Sequence, residues 1–196
     1  RIDIALQQKV EEEFLNSQIY QSLIGGEYQG LNSHFGFYAG DEKSYVHPVI
    51  TYVSNNIHVV IPRFTKTEGR IRAKLYMAIF NHGAITEEVN STFIRKLLDL
   101  PQSYYISEKS GQIIPWLEWL LTSESAIITG YDIMFKESPA SRSGEAFMAE
   151  RLQKSWAIPP EYAGSIDDNW LTRVLTNVAD TKFVPIVKKV LTDALR

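Results

Sequence analysis

The residues best placed to do chemistry lie in the second half of the chain. KESPASRSGEAFMAERLQK, residues 136–154, is a polar loop running into a helical pattern that carries Glu145 and Glu150. Asp167 and Asp168 follow, then Asp180-Thr181-Lys182. Two carboxylates sharing a Mg²⁺, with a lysine polarising the attacking water, hydrolyse phosphodiesters; Glu145, Asp168, Asp180 and Lys182 are the set such a nuclease would use. The competing account is local. Ser141 or Ser143 caps a helix by accepting a backbone N–H one turn on, and the glutamates occupy its exposed face. The local account is preferred: an acidic-x-Lys triplet arises about once by chance in such a chain. Asp180 and Lys182 also fall between two helical patterns, where the metal scheme needs a strand.

Other reactive groups are scattered. The 4 histidines, His34, His47, His58 and His82, show no metal-type spacing. In a hairpin over 46–61, His47 and His58 would face each other, a geometry that binds metal or senses pH; an ordinary half-exposed hairpin face is preferred. GGEYQG at 25–30 lacks the lysine and the strand-to-helix turn of a phosphate loop and reads as a helix stop. Trp116 and Trp119, near Tyr104 and Tyr105, would stack bases or sugars if exposed. Leu117, Leu120 and Leu121 place them at a core edge instead.

The one uneven charge feature is PRFTKTEGRIRAK, residues 62–74, where Arg63, Lys66, Arg70, Arg72 and Lys74 face a single Glu68. On a helix over 68–82, Arg70 and Lys74 share a face, a patch for phosphates or an acidic partner. With the next helix, TEEVNSTFIRKLLDL, and a following hairpin, this part reads as winged-helix-like over 68–128. Glu87, Glu88 and Asp99 outnumber Arg95 and Lys96 on the second helix, which favours protein contact over a nucleic-acid groove.

The elements that must position these groups follow from periodicity and punctuation. Residues 3–24 predict one amphipathic helix with Ile4, Leu6, Val10, Phe14, Leu15, Ile19 and Leu23 inward, stopped by Gly25 and Gly26. A short strand is expected at 34–39. Two β-branched runs flanking SNN predict the 46–61 hairpin. SYYISEKSGQIIPWLEW predicts strand, turn at KSGQ, return strand and a helix over 116–123 opened by Pro115. SAIITGYDIMFKE is a strand candidate, 144–156 a helix, and 157–165 a linker. Asp167 or Asp168 is expected to cap a helix through about residue 179, and Pro185 sits in the first turn of a last helix.

Composition bounds the answer. Hydrophobic residues at 44% and charged residues at 22% describe a globular mixture rather than a disordered chain. No cysteine is present, which removes disulfides, thiolate metal sites and cysteine nucleophiles. A net charge of −3 lowers the expectation of a nucleic-acid binder. No apolar run reaches the roughly 18 residues of a membrane span, and no signal segment is in view, so a cytoplasmic location is expected. Arg1 and Arg196 both read as places where a longer chain was cut.

The expected fold is α+β: an N-terminal helix, a small antiparallel sheet around the 46–61 hairpin and a helical second half. Residues 1–157 are expected to form the α+β domain and 166–196 a helical C-terminal appendage. The expected function is a non-catalytic protein-interaction or adaptor domain, a subunit of a larger assembly. Its last helix would present Ile186, Val187, Val190 and Leu191 to another protein chain or a second copy. Nucleic-acid binding through the 63–74 cations is the first alternative and a metal-dependent nuclease the second. No catalytic residue, metal or cofactor is assigned.

Overall fold

The computed structural model describes residues 1–24, 31–35, 37, 42–60, 64–67, 70–73, 76–79, 87–106, 111, 113–124, 133–134, 147–148 and 158–194. Helices combine with short antiparallel strand pairs, the α+β class expected.

The first periodic stretch forms two helices, α1 (Ile2–Leu15) and α2 (Gln18–Ile24). Ser17 makes the break. Its hydroxyl accepts the Tyr20 N–H and donates to the Phe14 carbonyl, offering the backbone a local partner in place of a helical one. Leu6, Val10 and Phe14 are buried, whereas Ile4 is 58% exposed, against its expected inward position.

Two strand expectations give way to helices. Of the expected strand at 34–39, residues 34 and 35 end a short helix α3 (Leu31–Phe35) while 36, 38 and 39 lie outside the described residues; Phe35 and Phe37 are buried. The first arm of the expected 46–61 hairpin is a helix, α4 (Glu42–Asn55), which accommodates Pro48. Its buried residues Val46, Val49, Ile50 and Val53 fall at helical spacing, and burying that stripe outweighs the β preference of the side chains. SNN is therefore a helix terminus rather than a hairpin turn: the Asn56 side chain donates to the Tyr52 carbonyl.

Only the second arm is a strand, β1 (Ile57–Val60). It is pinned to α1 from below: Val59 N–H donates to Asp3 at 2.7 Å and the Gln7 amide donates to the Ile57 carbonyl at 3.0 Å. The helix expected over 68–82 is replaced by strands β3 (Arg70–Ala73) and β4 (Tyr76–Ile79), following β2 (Phe64–Thr67). β2 pairs with β3 and β1 with β4, in register Ile57↔Ile79 to Val60↔Tyr76. The pattern explains the correction. Ile71, Ala73, Leu75, Met77 and Ile79 recur at every second residue, the strand period, and Met77 is buried. Without a helix here, the winged-helix-like arrangement does not form.

The middle of the chain follows expectation more closely. Helix α5 spans Glu87–Leu98, β5 (Tyr105–Ile106) pairs with β6 (Ile113–Ile114), and α6 (Trp116–Thr122) starts after Pro115. Gly111, just before β6, has φ +67, a conformation natural to glycine. The expected strand near 133 appears as β7 (Ile133–Met134). Its partner β8 (Phe147–Met148) lies where a helix over 144–156 was expected.

Helix α7 (Trp170–Asn177) is capped by Asn169, not by Asp167 or Asp168. Asn169 Oδ1 accepts the N–H groups of Leu171 and Thr172, and the Thr172 hydroxyl accepts the Asn169 N–H, a reciprocal capping box. A π turn, Val178–Lys182, leads into α8 (Phe183–Ala194), whose first turn holds Pro185 as expected. The buried cluster runs from Leu6 in α1 through α4 and α6 to Val187 in α8. Phe14 meets Trp170 edge-on, with ring centroids 5.2 Å apart. Among the described residues no helix is long and apolar enough to cross a membrane.

Candidate functional site

A cleft of about 330 Å³ opens where the α1–α2 break meets α7 and the 158–169 segment. Ile19, Tyr162, Trp170 and Val174 supply apolar lining; Glu13, Ser17, Glu161 and Arg173 supply polar groups. What each polar group already bonds to decides what the cleft can do.

Ser17 is the candidate nucleophile by position. Its hydroxyl accepts the Trp170 indole N–H at 2.9 Å and the Tyr20 N–H at 3.2 Å, and donates to the Phe14 carbonyl at 2.7 Å. A serine hydroxyl has one donor and two acceptor sites, so all three are spent. Its proton points to a carbonyl rather than a base, the opposite of an activated nucleophile.

Arg173 is held in the same way. Nε and Nη2 fork onto the two carboxylate oxygens of Asp168 at 2.6 and 3.0 Å, and Nη2 also donates to the Ala163 carbonyl at 3.2 Å. The hydrogen bonds from Arg173, reinforced by its charge, hold the Asp168 carboxyl below its ordinary value. The same hydrogen bonds raise Arg173. Glu13 accepts from Asn177 at 3.3 Å and pairs with Lys9 at 3.0 Å. Hydrogen bonds from Lys9 to Glu12 and then Glu13 raise the lysine pKa. Ser17 and Glu13 thus act mainly as joints between α1, α2 and α7, and Arg173 ties α7 to the 158–169 segment before it.

The two aspartates of the nuclease alternative are not brought together. Asp168 precedes α7 and is clamped by Arg173, whereas Asp180 and Lys182 lie in the π turn at the far end of that helix. Helix α7 stands between the two aspartates, and at a rise of 1.5 Å per residue its 8 residues alone span roughly 12 Å, too far to share an ion. Glu145 lies outside the described residues, as do Glu150, Ser141 and Ser143. Among the described residues no three histidines or carboxylates gather to hold a metal.

The histidine pair does not form either. His58 is on β1 in register with Ala78, and His47 is on α4. His47 Nε2 instead lies 2.6 Å from the Tyr20 hydroxyl of α2. Burial raises the tyrosine pKa, which keeps that hydroxyl protonated. His34 falls in α3, and His82 lies outside the described residues.

Trp116 and Trp119 are buried, and the Trp116 indole N–H donates to the Gln102 carbonyl at 2.8 Å, so they form core rather than a stacking platform. Of the basic segment, Lys66 lies in β2, and Arg70 and Arg72 occupy alternate positions of β3; Arg63 and Lys74 lie outside the described residues. With Arg70 in a strand, its expected helical pairing with Lys74 is lost.

On α8, Val187 is buried and Ile186 packs against the same cluster, Val190 is half-buried, and Leu191 is 49% exposed. The outward side carries Val184, 54% exposed, with Lys188 and Lys189 exposed beside it. Sequence reasoning missed Ser17, Asn169 and Trp170 as a hub. The one local signal was Asn169 followed three residues later by Thr172 at the head of an apolar run, a capping pattern masked by Asp167 and Asp168.

Comparison with family models, with curated proteins and with solved structures finds no match for this chain.

Proposed function

We propose that the chain is a non-catalytic protein-interaction domain that docks a partner on the outward side of α8. The observation that carries this reading is the pair Val184 and Leu191, 54% and 49% exposed and seven residues apart on one helix face. Lys188 lies between them, and the buried Phe183 and Val187 on the adjoining face anchor the helix. A helix fixed from beneath presents such a stripe already ordered, which lowers the entropic cost of docking. The bonding of Ser17, Arg173 and Glu13 supports the non-catalytic part, since their donors and acceptors serve the chain itself. The partner is another protein chain or a second copy.

The test compares the chain with a Val184→Asp, Leu191→Asp variant as immobilised bait in a cell extract, with light scattering to detect self-association. Both positions are exposed, so helical content and melting temperature are expected to stay unchanged while capture or self-association drops at least tenfold. Equal behaviour of the two proteins removes the reading.

A second reading is nucleic-acid binding. It is favoured by Lys66, Arg70 and Arg72 lying on the two-stranded β2–β3 ribbon, an element that a major groove can admit. Its affinity for duplex DNA would fall steeply with salt. Salt-independent binding, or binding unaltered in an Arg70→Glu, Arg72→Glu variant, excludes it.

A further inference from the structure

We draw no further inference here: the strongest candidate, the outward stripe of α8 formed by Val184, Lys188 and Leu191, belongs to the surface already proposed for docking, and nothing in the structure shows what covers it.

Discussion

Replacing Ser17 with alanine tests whether the α1–α2–α7 junction is held as described. The serine hydroxyl caps α2 through the Tyr20 N–H and receives the indole N–H of Trp170, a residue only 1% exposed. Losing a helix cap costs about 1 kcal/mol, and orphaning a buried donor costs about 1–3 kcal/mol. Ser17 and Trp170 both line the open cleft, so water can reach part of the space the hydroxyl leaves. That pulls the expected loss toward the lower end, about 2 kcal/mol. For a chain of this size the corresponding fall in melting temperature is roughly 4–8 °C. Urea unfolding followed by circular dichroism and tryptophan emission should show a lower midpoint with an unchanged slope.

The partner variant Trp170→Phe separates the two contributions. It removes the donor together with its demand for an acceptor, so in its background Ser17→Ala should cost only the cap. A coupling of about 1 kcal/mol between the two substitutions is expected. Additive losses would show that the indole bond contributes nothing. A Ser17→Ala loss under about 0.5 kcal/mol, the scale of an ordinary surface change, would refute the junction altogether.

Asn32 is fully buried, and among the described residues neither its amide nitrogen nor its oxygen has a hydrogen-bond partner. Asn32→Leu should therefore raise the urea midpoint, by about 1–2 kcal/mol of stability; a lower midpoint would show that the amide is bonded in solution. The Asp168–Arg173 pair predicts a pH effect. Asp168 has a folded-state pKa below its ordinary 3.8, so its contribution is fully present above that value and is lost as pH falls through the depressed one. Asp168→Asn should thus cost a constant amount at neutral pH, with the gap to the parent chain closing below pH 4 or so. The pair is well exposed, so the amount stays under about 1 kcal/mol. Thermal melts from pH 7 down to 2 check this, and a gap that persists at pH 2 contradicts it.

Two of the misread segments show which physics was legible. In 46–53 the helical spacing Val46, Val49, Ile50 and Val53 was present, but a run of β-branched residues around Pro48 pointed to a strand. Tertiary burial overrode the local preference, as it does where a continuous apolar stripe is available. In 70–79 the error ran the other way. The alternation from Ile71 to Ile79 was a strand signal, yet Ile71, Leu75 and Ile79 also fit a helix face. The punctuation by Pro115 did mark a true boundary, since α6 opens at Trp116. The Ser17–Trp170 bond spans 153 residues and left no local pattern to read.

The outward side of α8 was hidden for a different reason. Buried positions run Leu171, Val174 and Leu175 in α7 and Val178 at the start of the π turn, and an uninterrupted α-helix would bring Lys182 to the core next. The π turn inserts one residue: the Phe183 N–H bonds to the Val178 carbonyl five positions back, so Phe183 and then Val187 continue the buried stripe. Pro185 has no N–H to give to the carbonyl four residues before it, and an insertion here relieves that mismatch. The shift in phase also decides what faces outward. It directs Val187 toward the core and leaves Val184 and Leu191 exposed along the flank of that stripe. The proposed docking surface therefore depends on an extra residue in the helix, which a reading based on one uniform period cannot contain.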